Sequence, residues 1–276
     1  MTIDNAAPVP RTYLFVPGDR PERFDKALAS AADAVVLDLE DAVLPADKPR
    51  ARAAVAQALA AMAPEARARC VLRINDEATA HHAEDVALLR ASGIAQAMLP
   101  KAERADTLVQ LRAACPTLAV LALIETARGV LRAESIADAP GVARLVFGTI
   151  DFALDLNLSG AAIGFDHAAA CLALASRAAG LPGPVAGVTP AIHDSALLLA
   201  DLQRARAHGF TAKLCIHPAQ VQAIHDALRP SAAELDWAAR VVAAMQNATG
   251  AVQLDGRMLD KPVLQRAQAM LARAAR

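Results

Sequence analysis

The chain has 276 residues, 28 Lys plus Arg against 29 Asp plus Glu, and 55% hydrophobic residues. A formal net charge of −1 with only 3% aromatics excludes a basic, ring-rich nucleic-acid surface and a polybasic membrane face. The length suits one α/β barrel of ~250 residues, and no apolar run reaches the ~18 residues of a membrane span.

The opening MTIDNAAPVPRT lacks a basic start followed by an apolar stretch, so the expected compartment is the cytoplasm. Short apolar runs then alternate with longer amphipathic stretches. TYLFVP (12–17) comes first, then AVVLDLE (34–40), CVLRIN (70–75) and AQAMLPK (95–101). AVLALIET (119–126), RLVFGT (144–149), PVAGV (184–188) and KLCIHP (213–218) follow. Continuous apolarity suits parallel strands buried on both faces. A helix is expected over 47–62, with Asp47 as its cap. Eight such units predict a (β/α)8 TIM barrel over 1–230. An open doubly wound sheet would need a GxGxxG turn after its first strand, and TYLFVPGDRPERF has none. Helices near 232–247 and 261–275 make a C-terminal helical extension over 231–276. The four cysteines form no CxxC pair, and Cys70 and Cys215 lie in strand-like runs as buried fillers.

Barrel enzymes react at the carboxyl ends of their strands. Glu40 and Asp41 end the second run, and Arg73 and Asn75 lie on the third. Lys101 ends the fourth, Glu125 and Thr126 the fifth, and His217 the eighth; Asp151 follows Gly148 after the sixth. Glu125 and Asp151, two hard oxygen donors on adjacent strands, suit Mg2+ or Mn2+. Glu40 and Asp41 would hold metal-bound waters, and Arg73 offers a planar fork to a substrate carboxylate. His81 and Asp85 stand four apart on a helix, but they read as a solvated helix start, not a metal site. His217 reads as a rim hydrogen bonder and Trp237 as core or interface.

The stretch from RTYLFVPGDRPERF through LDLEDAV resembles the opening of citrate lyase β-subunits and their standalone homologues. LRIN, LPKAE, LIETARGV, FGTIDFALDLN, GFTAKLCIHPAQV and GAVQLDGRMLDKP continue the likeness in order to the HpcH/HpaI aldolase/citrate lyase superfamily. The resemblance implies a (β/α)8 barrel in homotrimers or hexamers, with Mg2+ on Glu125 and Asp151, Asp155 being the competing aspartate. It maps the substrate arginine to Arg73 and coenzyme A contacts to Phe15, Arg20 and Lys26. Asp260 maps to a catalytic aspartate that the carboxyl-terminal segment inserts into a neighbouring subunit; it also fits a helix cap. Many relatives have an Asp where Ala186 stands, a departure that bears on substrate preference. The implied reaction is cleavage, or formation, of a 3-hydroxyacyl-CoA thioester such as citryl-CoA or malyl-CoA. Its products would be acetyl-CoA and a 2-oxo acid such as oxaloacetate or glyoxylate. A pyruvate aldolase without CoA, a malate synthase- or thioesterase-like activity and a subunit of a carrier-protein-dependent lyase complex are the alternatives.

Overall fold

A computed structural model describes residues 9–246 and 252–274. Eight strands close a parallel barrel in chain order, with the eighth paired to the first. They are β1 (Thr12–Pro17), β2 (Ala34–Asp38), β3 (Cys70–Arg73), β4 (Gln96–Leu99), β5 (Ala119–Ile124), β6 (Val142–Phe147), β7 (Val185–Ala186) and β8 (Ala212–Cys215). All eight expected runs are strands. Most of the polar residues at their carboxyl ends fall just beyond the paired segments, in the loops that form the mouth; Arg73 is the last paired residue of β3. Among the described residues no helix is long and apolar enough to cross a membrane.

Side chains alternate between the inside of the barrel and the layer of helices. Tyr13, Ala34, Val36, Val71, Met98, Leu121, Leu123, Val146, Val185, Ala212 and Leu214 fill the interior. Two residues further along the same parity come Phe15, Asp38, Arg73 and Glu125. The strand pleat therefore decides which polar residues face the mouth, one step above an apolar plug. The opposite, amino-terminal end is held by Arg144, buried on β6. Its guanidinium donates to the carbonyls of Gly183 (2.8 Å) and Pro10 (2.6 Å) and to Oγ1 of Thr211 (2.6 Å). Tyr13 lies alongside it, with the guanidinium carbon 5.8 Å from the ring centre.

The helix expected over 47–62 runs Lys48–Ala61, but Asp47 does not cap it. The chain enters through a 3-10 turn, Pro45–Asp47, and the Asp47 carboxylate accepts from Arg50 instead (3.1 Å). Cys70 and Cys215 are fully buried, as expected of fillers. Burial pushes their thiols up to about 11 and about 12, leaving them unreactive at neutral pH.

The chain divides into two compact units, one running to Ile224 and one from His225. The division falls inside the helix Pro218–Leu228 rather than after it. The second unit packs the helix Ala232–Gln246 against the helix Lys261–Ala274 around Ala238, Val241, Leu259 and Ala267. Ser231 and Glu234 cap the first of these reciprocally: each backbone N–H donates to the other's side chain, at 2.7 and 3.2 Å. Between the helices is a hairpin absent from the sequence reading, β9 (Val252–Leu254) and β10 (Arg257–Leu259). Asp255 and Gly256 turn it with φ of 50° and 75°, the pattern of a type I′ turn.

Candidate active site

The mouth of the barrel holds a cavity of about 400 Å3. Its lining combines the polar Asp38, Asp41, Arg73, Glu125, Thr149 and Asp151 with the apolar Phe15, Val188, Leu214 and Ile216. Of the residues expected at the site, Phe15, Asp41, Arg73, Glu125 and Asp151 thus come together.

Arg73 is held by the protein itself. Its Nε and Nη2 donate to the two carboxylate oxygens of Asp38 at 2.7 and 2.6 Å. Its Nη1 lies 2.9 Å from Glu40 and 3.7 Å from Asp41, and its guanidinium carbon is 4.8 Å from the centre of the Phe15 ring. Of the five N–H groups of an arginine, two remain for a ligand. The Nε/Nη2 edge of the guanidinium belongs to Asp38, which leaves the outer N–H groups of Nη1 and Nη2 facing a ligand.

Glu40 is buried at the mouth among protein partners. Its Oε2 faces Arg73 and accepts from the Asp41 N–H (3.0 Å), and its Oε1 lies 3.4 Å from the Lys101 ammonium. Both oxygens have protein cations as neighbours, one of them the cavity-lining Arg73. Burial drives the Glu40 carboxyl up to about 7, against the pull of Arg73. Asp41 does line the cavity, with its side chain largely exposed.

Glu125 is buried, and one oxygen accepts from the Lys101 backbone N–H at 2.9 Å. Burial pushes its carboxyl up to about 8; that amide opposes the rise and the charge of Asp151 adds to it. Gly148 backs it closely, since a Cβ there would sit 2.5 Å from Oε2 of Glu125. Asp151 follows on the helix Thr149–Asp155. Asp155, the competing aspartate, accepts from the Ala127 N–H at 2.7 Å and does not line the cavity.

The donor set fits magnesium. Glu125 and Asp151 offer hard oxygens, and magnesium takes few carboxylates, leaving its other positions to water and substrate. Among the described residues no group of three or more His, Cys, Asp or Glu forms a denser metal cluster. A buried carboxyl raised to about 8 beside a second acid would be stabilised in its charged form by a bound cation.

Other expected residues stand apart. Arg20 and Lys26 are exposed beyond β1 and do not line the cavity. Asp260 belongs to the second unit, where its side chain accepts from the Val263 N–H (3.0 Å) and so caps the last helix. His217 accepts from the Ala219 N–H (3.2 Å), a capping role.

A model of the family described as HpcH/HpaI aldolase/citrate lyase matches residues 11–218. The chain belongs to this family. It is 39% identical over 273 residues to a citrate lyase subunit beta-like protein of Mycobacterium tuberculosis, covering 95% of this chain and 94% of that one. It is 34% identical over 276 residues to a (3S)-malyl-CoA thioesterase of Cereibacter sphaeroides, covering 96% and 94%. Among solved structures it resembles the protein CitE of Mycobacterium tuberculosis in complex with magnesium, acetoacetate and coenzyme A. There the TM-score is 0.86 at 40% identity, with 96% of this chain and 98% of that one covered.

Two buried groups of this aldolase/citrate lyase family member differ from what the sequence suggested, Asp38 not singled out by it and Asp85 misplaced. Asp38, with no exposed surface, holds Arg73 and also accepts from the N–H groups of Glu40 (2.9 Å) and Ala42 (3.2 Å). Counting the pleat from Ala34 and Val36 would have found it. Asp85, assigned to a solvated helix start, is instead fully buried. It accepts from Arg52 (2.8 Å) and twice from Asn75 (2.8 and 2.6 Å), and Asn75 accepts in turn from Lys48 (2.5 Å). His81 is no part of that network beyond its backbone carbonyl, which takes an Arg52 N–H at 3.4 Å.

Proposed function

We propose that the protein is a magnesium-dependent carbon–carbon lyase. It splits a 3-hydroxyacyl-CoA thioester of the citryl-CoA or malyl-CoA kind into acetyl-CoA and a 2-oxo acid, or joins them. The observation that carries this reading is Glu125: a buried acid, its carboxyl pushed up to about 8, that lines one cavity with Asp151 and Arg73. Glu125 and Asp151 would hold the cation, which when bound supplies Lewis-acid polarisation of a C–O group.

The chain's own groups do the rest. The remaining N–H groups of Arg73 take the 2-oxo acid carboxylate and steady negative charge developing beside it. Asp38 and Glu40 keep that guanidinium aimed, and Phe15 supports its flat face. The apolar wall of Val188, Leu214 and Ile216 excludes water from the reacting carbons. Arg20 and Lys26, exposed beyond β1, meet the phosphates of coenzyme A. Asp260 serves a neighbouring chain of a homotrimer or hexamer, exchanging the proton at the acetyl carbon.

A second reading has support from the relative named as a (3S)-malyl-CoA thioesterase. In it the same site is followed by release of the thiol to water. Incubation of the purified chain with Mg2+ and citryl-CoA or malyl-CoA decides between them. Acetyl-CoA with oxaloacetate or glyoxylate supports the lyase; free coenzyme A with the intact hydroxy acid supports the thioesterase. A folded protein that consumes neither thioester sinks both.

A further inference from the structure

The turn after β4 carries a residue that the chemistry above does not use. Lys101 has a φ of 46°, in the left-handed region that disfavours any residue with a Cβ. A glycine would take that φ without strain, yet the chain carries a lysine.

Both ends of the residue are occupied. Its backbone N–H donates to Oε1 of Glu125 at 2.9 Å, and the next amide, of Ala102, donates to the Leu123 carbonyl at 3.0 Å. Its ammonium lies 3.4 Å from Oε1 of Glu40, whose other oxygen is 2.9 Å from Nη1 of Arg73. Strain kept at a site that two separate bonds over-determine points to a use for the side chain.

We propose that Lys101 is a positioning residue that couples the two halves of the cavity. Its amide sets Glu125, on the cation side. Its ammonium sets Glu40 and, through Glu40, the guanidinium of Arg73 on the carboxylate side. The inference rests on the reading of the cavity given under Proposed function, and it separates what the backbone does from what the side chain does.

The test uses the full chain with Lys101→Gly, Lys101→Met and Lys101→Arg. Calorimetry measures Mg2+ binding, then pyruvate binding at saturating Mg2+; thermal unfolding is followed in parallel. Lys101→Gly keeps the amide and relieves the backbone, so it should melt about 2–4 °C higher. It should bind Mg2+ within about threefold of the parent and pyruvate about tenfold more weakly. Lys101→Met, which keeps the Cβ, should lose pyruvate affinity equally with no rise in melting temperature. Lys101→Arg should restore pyruvate binding to within about threefold. Folded Gly and Met variants that bind pyruvate as the parent does would overturn the proposal. A parent protein that binds neither Mg2+ nor pyruvate would instead remove the reading of the cavity beneath it.

Discussion

Arg73 and Asp38 form a two-point ion pair in which each carboxylate oxygen takes one N–H, at 2.7 and 2.6 Å, with Asp38 wholly buried. They are register partners on neighbouring strands, so the barrel brings them together without help from any loop. The pair holds the guanidinium at the cavity wall and leaves only its outer N–H groups for a ligand.

Asp38→Asn removes the charge and keeps the shape. A buried arginine that loses its two-point partner and keeps only Glu40 and Asp41 should lower unfolding free energy by about 3 kcal/mol in urea titrations. Pyruvate binding should fall with it. Asp38→Asn combined with Arg73→Met should lose less stability than the two single changes added together. Additive losses would mean the pair contributes nothing as a pair.

Gly148→Ala tests how tightly Glu125 is placed. The new methyl would sit 2.5 Å from Oε2 and 2.6 Å from Cβ of Glu125, so the carboxylate must turn away and the backbone must shift to free the Cβ. Mg2+ affinity should drop by about tenfold or more, with a stability loss of about 1–3 kcal/mol. Unchanged Mg2+ binding in a folded Gly148→Ala protein would show that Glu125 is not a ligand.

The pH dependence follows from two raised carboxyls. Glu125 moves from the ordinary 4.5 up to about 8, and Glu40 up to about 7, both chiefly through burial. The folded state therefore holds protons that the unfolded chain has released. Stability from these groups is complete below 4.5 and is lost as pH rises toward 8. The metal-free melting temperature should fall across that window, and saturating Mg2+ should flatten the curve. Mg2+ affinity should climb with pH as Glu125 gives up its proton. A metal-free profile that rises from pH 5 to pH 8 would contradict the burial of these two acids.

Mixing Asp260→Ala subunits with Arg73→Ala subunits tests whether a site draws on two chains. Each variant alone should be inactive, and subunits unfolded and refolded together should regain part of the activity. No recovery in mixed oligomers would confine Asp260 to its capping bond with Val263.

How much was legible in the sequence depends on whether the signal was local. The strand runs were, because continuous apolarity marks a buried parallel strand whatever surrounds it. Glu125 and Asp151 followed from their places at strand ends. Asp38 did not, because it sits inside an apolar run, where a charge looks like an interruption until the pleat is counted. Asp85 escaped for the opposite reason: its neighbours His81, His82 and Glu84 give it the look of solvent, while its partners Arg52 and Asn75 lie on other elements. The partners of Glu40 were not legible either: sequence places it at the mouth, and the fold brings its two oxygens to Arg73 and Lys101. The hairpin at Asp255–Gly256 was missed although an Asp-Gly pair signals such a turn, because its strands are only three residues each.

The floor of the barrel has a consequence for traffic. Arg144 ties Pro10, Gly183 and Thr211 together at one end, above which Tyr13 and its neighbours fill the bore. The cavity is a cul-de-sac. On the lyase reading, the product bound deeper would leave after the one nearer the mouth, and release would be ordered.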